Sequence, residues 1–91
     1  MMEEGYTVII PRGVRLHHDR VRDCWFLLAP ERAIELDSIG LAILNEVDNK
    51  STLKGISRHL AHKYDADEEQ ILKDVSEFMQ ALALQRVIEL R

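Results

Sequence analysis

The spacing of apolar residues changes period near residue 38, from strand-like alternation before it to helix-like spacing of three and four after it. Val14, Leu16 and His18 alternate against Arg15 and His17, which predicts a strand over residues 14–18. Cys24 to Ala29 is an apolar run centred on Trp25 to Leu28 and reads as a second strand, with the polar segment Asp19 to Asp23 as the hairpin loop between them. Pro30 fixes its own φ and has no N–H, so that strand stops there and Pro30-Glu31 turns the chain into a third strand, Arg32 to Leu36. Upstream, Tyr6 to Ile10 reads either as a short strand ended by Pro11-Arg12-Gly13 or, with the rest of residues 1–13, as a mobile N-terminal arm.

Three helices are predicted next. The first runs from Ser38 to Val47, with Ile39, Ile43 and Val47 at i, i+4 and i+8 and with Asp37 or Ser38 as its cap, before Asp48-Asn49-Lys50 breaks the pattern. The second, Thr52 to Tyr64, carries Leu53, Ile56, Leu60 and Tyr64 on one stripe; Ser51 or Thr52 caps it, and Gly55 suggests the close approach of another element. The third starts after Asp67, with Glu68 and Glu69 at the positive end of its dipole, and reaches Leu84. Its apolar face of Ile71, Leu72, Val75, Phe78, Met79 and Leu82 is wide enough for a core helix with an edge left to line a groove. Val87 to Leu90 is β-prone, either a short strand or an extended tail. The expected fold is α+β: a three-stranded antiparallel sheet followed by a three-helix bundle, βββααα, in the manner of a winged helix-turn-helix.

Composition narrows the function more than the fold. A chain of 91 residues, 46% hydrophobic and 31% charged, is long enough for one core, so residues 14–91 are expected to form a single domain behind the arm. No apolar run has the length of a membrane helix and Met1 to Gly5 lacks the regions of a signal peptide, which makes the cytoplasm the expected compartment and excludes a membrane partner. The net charge of −4 argues against a polyanion, because nucleic acid is bound through clustered Lys and Arg. A DNA-binding winged helix remains the structural rival, yet its recognition helix would carry Asp67, Glu68, Glu69, Asp74 and Glu77 against Lys73, a surface that repels phosphate.

Catalytic and metal chemistry find little footing. The single cysteine, Cys24, leaves no disulfide and no thiolate metal site, and fits the start of an apolar strand. His59 and His62 share a helix face, but a zinc site needs three or four ligands and no further Cys or His is suitably spaced. There is no glycine-rich phosphate loop, no nucleophile elbow and no Ser/His/Asp pattern, so neither a catalytic residue nor a cofactor is expected. What remains is a surface made by the backbone. The third strand, framed by Arg32, Glu35 and Asp37, suits an edge to which an extended peptide adds as a strand, although the same charges also discourage aggregation between edges. An open edge and an N-terminal arm equally allow strand exchange, leaving monomer and strand-exchanged homodimer both open.

The order Asp19-x-x-Arg22, Leu27-Leu28-Ala29-Pro30-Glu31, Leu36, Ile43-Leu44, Asp48, Thr52, Ile56, Leu60, Tyr64, Ile71, Asp74-Val75 and Phe78 to Leu82 resembles coenzyme PQQ synthesis protein D, the PqqD family, over Val14 to Ile88. The resemblance implies a non-catalytic chaperone of pyrroloquinoline quinone (PQQ) biosynthesis that binds the precursor peptide PqqA and presents it to the radical SAM enzyme PqqE. Related domains recognise leader peptides of other ribosomally made, modified peptides, which is the alternative pathway. It also implies that the peptide lies between the third strand and the third helix. On this chain that means the backbone of Arg32, Ala33, Ile34, Glu35 and Leu36, an apolar wall of Ile71, Asp74, Val75 and Phe78, and Lys73 or Arg32 reading acidic residues of the peptide. Two departures stand out. The family commonly has Asp-Gly at Asp48-Asn49, which Asn tolerates, and often a Gly near Arg86, whose absence leaves room for a longer third helix.

Overall fold

A computed structural model describes residues 5–91 of the chain. Strands β2 (Arg15–Asp19) and β3 (Cys24–Ala29) pair antiparallel with Leu16 opposite Leu27 and His18 opposite Trp25. Their loop is held by the Asp19 carboxylate, which accepts from the backbone N–H groups of Val21 (2.9 Å) and Arg22 (3.2 Å). The two-residue connection Pro30-Glu31 brings in β4 (Arg32–Leu36), with Leu27 opposite Ile34 and Trp25 opposite Leu36. The sheet order is β2-β3-β4, so the expected hairpin and meander are both present and β4 lies at an edge. Alternation sends Leu16, Leu27, Ile34 and Leu36 to the core face.

Each helix starts on the side chain that its sequence offers. Asp37 accepts from Gly40 N (2.7 Å) to open α1 (Ser38–Leu44), Thr52 Oγ1 accepts from Gly55 N (3.0 Å) to open α2 (Leu53–Tyr64), and Asp67 accepts from Gln70 N (3.0 Å) to open α3 (Glu68–Leu84). Helix α1 ends three residues before the predicted Val47. Glu46 N donates to Ile43 O and Val47 N to Leu44 O, three-residue bonds that tighten the last turn into the Asp48 turn, where that carboxylate accepts from Lys50 N and Ser51 N. Nor does α3 run on: Gln85 caps it and Arg86 takes φ 63°, with Arg86 N bonded to Ala83 O and Val87 N to Leu82 O. Arg86 therefore does the backbone work of the glycine common in the family.

Residues 1–4 of the expected arm lie outside the described residues. From Thr7 onward the N-terminal segment is tied to both ends of the helical layer: β1 (Val8–Ile9) pairs antiparallel with β5 (Glu89–Leu90), Thr7 N and O exchange bonds with Arg91, and Val8 N donates to Ser51 O. Val8 is fully buried with Leu27, Leu44, Leu53, Ile56, Val75, Met79 and Ile88. At roughly 1.5–3 kcal/mol per buried aliphatic side chain, this shared core joins the sheet, the helices and the N-terminal strand. Three expectations about the helix faces need correcting. Tyr64 stays 57% exposed and Ile39 69% exposed, although spacing places both on apolar stripes. A Cβ on Gly55 would meet only Thr52 Oγ1 at 3.4 Å and Ser51, so no other element approaches there.

Candidate functional site

Strand β4 pairs with β3 along one side only, so alternate N–H and C=O groups of Arg32–Leu36 point away from the sheet. Helix α3 runs antiparallel to this open edge. At one end Arg32 Nη1 donates to Gln85 Oε1 at 3.2 Å; at the other, Leu36 and Asp37 come up against Phe78. Between them lies an open groove of about 400 Å³ lined by Ile34, Glu35, Leu36, Asp37 and Phe78. The position of Phe78 depends on Gly40, since a Cβ there would stand 3.2 Å from both Phe78 Cε1 and Phe78 Cζ. The bare backbone at the start of α1 lets the ring close the end of the groove.

The proposed wall of α3 divides between two hollows. Phe78, half-buried, belongs to the β4 groove, whereas Ile71, Asp74 and Val75 line a second hollow of about 460 Å³ between the three helices, together with Ile39 and Tyr64. Val75 is 1% exposed and is chiefly a core residue. Lys73 is exposed and lines neither hollow. Along β4, Ile34 is half-buried and Leu36 buried against the core, while the side chains of Ala33 and Glu35 stand exposed on the outer face opposite Leu28 and Phe26. Sequence reasoning had Asp37 only as a cap and as a charge framing the third strand, and missed Gly40, which seats Phe78, and Ile39 and Tyr64, which line the second hollow. Gly40 was legible only as a helix residue, and spacing assigned the other two to the core.

The site is electrostatically polar. Glu35, Asp37 and Asp74 sit toward α1, with Asp74 Oδ1 accepting from Gln70 Nε2 at 3.0 Å, and Arg32 and Arg86 sit toward the end of α3. The thiol of Cys24, at the start of β3, is pushed up from its ordinary pKa by burial and then by the Glu35 charge, which keeps it protonated and poorly nucleophilic. His59 Nε2 and Lys63 Nζ both face Glu46, at 3.4 and 3.7 Å, and among the described residues no three His, Cys, Asp or Glu come together as metal ligands. No helix among the described residues is long and apolar enough to cross a membrane.

The family model for coenzyme PQQ synthesis protein D (PqqD) matches residues 24–88, which hold β3, β4 and all three helices. The chain belongs to the PqqD family. Among its PqqD relatives, the PqqA binding protein of Xanthomonas euvesicatoria pv. vesicatoria (strain 85-10) is 47% identical over 78 residues, covering 86% of this chain and 85% of that one. The PqqA binding protein of Rhizobium meliloti (strain 1021) is 45% identical over 87 residues, covering 94% and 89%. The fold is similar to the solution NMR structure of the PqqD truncation of Methylobacterium extorquens PqqCD, described as a functional, stand-alone recognition element for ribosomally synthesized and post-translationally modified peptides. That match has a TM-score of 0.78 at 39% identity and covers 98% of this chain and 99% of the other. The crystal structure of PqqD from Xanthomonas campestris matches with a TM-score of 0.60 at 45% identity, over 85% and 86%. The βββααα order of sheet and helices is thus that of the PqqD fold, and in this chain β1 and β5 form a small second sheet.

Proposed function

We propose that this protein binds the precursor peptide PqqA as an added strand on the open edge of β4 and presents it to the radical SAM enzyme PqqE in PQQ biosynthesis, itself performing no chemistry. The observation that carries the reading is the unpaired side of β4 facing α3 across a groove closed by Phe78. Main-chain bonds from Arg32 to Leu36 supply affinity, and the α3 side chains beside them supply selectivity. The names of the relatives, PqqA binding proteins at 45–47% identity, supply the ligand. A non-catalytic role agrees with a site whose parts are backbone and side-chain wall. The acidic face of α3, with Glu68, Glu69, Asp74 and Glu77 against Lys73, speaks for a peptide over DNA.

The test is calorimetric titration of PqqA into wild type and Ala33→Pro, with circular dichroism of both. The two-residue turn makes Ala29–Arg32 and Leu27–Ile34 hydrogen-bonded pairs, so the N–H of Ala33 points to the open edge. Proline there removes one outward donor and its ring obstructs the edge, so affinity falls at least tenfold while helix content is kept. Equal affinity in a folded Ala33→Pro protein would count against strand addition. Presentation is checked separately: PqqE pulled down by this protein in the presence of PqqA supports it, and no association with PqqE in either condition opposes it.

A further inference from the structure

The hollow between the three helices is built from residues that an ordinary core would have covered. Ile39 and Tyr64 fall on the apolar stripes of α1 and α2, yet stand 69% and 57% exposed, and both face the same space as Ile71 of α3. At about 460 Å³ the open hollow has room for a large side chain, and its lining is apolar except for Ser38 and Asp74. It also continues the β4 groove. Asp37 lines one and Ser38 the other, and on α3 Phe78 of the groove is followed toward the N-terminus by Val75, Asp74 and Ile71 of the hollow.

We infer that this hollow is the anchor pocket of the bound peptide: it takes one large apolar or aromatic side chain, which fixes the register of the strand added to β4. The inference rests on the β4 reading above and adds a determinant that the backbone alone lacks, because main-chain pairing by itself permits slippage along the edge. Spacing sets where the anchor lies. Ile71 is seven residues from Phe78, about 10.5 Å along the helix at 1.5 Å per residue. An extended peptide covers that in about three residues at ~3.3 Å each. The anchor is therefore about three places from the peptide residue that lies against Phe78, on the Leu36 side. Charge supplies the anchor's neighbour. Asp37 spends Oδ1 on Gly40 N and Asp74 spends Oδ1 on Gln70, leaving each a second oxygen among the described residues, so a Lys or Arg beside the anchor meets two oriented carboxylates.

The experiment pairs protein variants with a serine scan of the PqqA peptide. Ile39→Ser and Tyr64→Ser change exposed positions; the protein is expected to keep its wild-type melting temperature within a few degrees and to lose about tenfold in affinity for PqqA, while the amides of residues 32–36 still shift on binding. In the scan, one apolar peptide position should cost affinity against wild type and cost nothing against Ile39→Ser. Affinities within twofold of wild type for both variants, with Ala33→Pro still impaired, overturn the anchor pocket and leave strand addition standing. Affinity unchanged in Ala33→Pro as well removes the underlying reading and the anchor with it.

Discussion

Arg32 and Gln85 are joined by a 3.2 Å hydrogen bond between the first residue of β4 and the cap of α3, which sets the distance between strand and helix at the far end of the groove from Phe78. Both side chains are exposed, so the bond adds little to stability. Its weight falls on the ligand. Arg32→Ala is expected to leave the urea midpoint within error and to weaken PqqA binding severalfold, with a shallower salt dependence of affinity, since Arg32 is then lost to acidic residues of the peptide. Calorimetry at two salt concentrations checks both halves.

Gly40 and Phe78 govern the other end. Gly40→Ala puts a Cβ at 3.2 Å from two ring carbons and from Asp37 Oδ1, so the ring or the cap gives by a few tenths of an ångström. Alanine gains about 1 kcal/mol over glycine inside a helix, which offsets much of an overpacking cost of about 1–3 kcal/mol. The urea midpoint should therefore move little while PqqA affinity falls, because the same ring closes the groove; urea unfolding and calorimetry check the two halves.

Two left-handed residues should respond in opposite ways to glycine. Arg86, at φ 63°, has its backbone used in the α3 end motif, so Arg86→Gly relieves the conformation and stabilises by about 1 kcal/mol. Asn49, also at φ 63°, accepts from Ile10 N at 2.8 Å and so ties the N-terminal strand to the turn before α2. Asn49→Gly gains in backbone freedom but loses that bond, and the denaturation midpoint should not rise. Parallel urea melts of the two variants decide it.

Acid should loosen two turns together. Backbone N–H donors, from Arg22 first for Asp19 and from Ser51 first for Asp48, hold both carboxyls below their ordinary pKa in the folded chain. A depressed folded pKa means that the stabilisation is fully present above the unfolded value and is lost as pH falls through the folded one. Stability should therefore drop below the ordinary aspartate range, and the drop should be smaller in Asp48→Asn. Urea midpoints at a neutral pH and at two acid values, for wild type and variant, measure it.

Much of the architecture was readable because its causes are local. The alternation of Val14 to His18, the break at Pro30 and the caps Asp37, Thr52 and Asp67 each act within a few residues, and each falls where the pattern places it. The end of α1 was not readable, since Val47 keeps the helical spacing while its N–H is taken by a three-residue bond. Tyr6 to Ile10 and Val87 to Leu90 were each legible as short strands, but the pairing of Val8 with Leu90 was not, since it joins segments far apart in sequence. At the site, β4 was legible as a short charged-flanked strand, but the division of the α3 wall into two hollows was not. It depends on Gly40 bringing Phe78 against α1, and on Ile39 and Tyr64 facing a space that no part of the described chain fills.

The most direct test of strand addition is amide hydrogen exchange of β4, followed by NMR with and without PqqA. Pairing on the open edge alternates, so the residues of 32–36 whose N–H groups point away from β3 should become strongly protected on binding, while those already bonded to β3 change little. Saturated PqqA binding that leaves the outward-facing amides exchanging as fast as in the free protein would contradict the account.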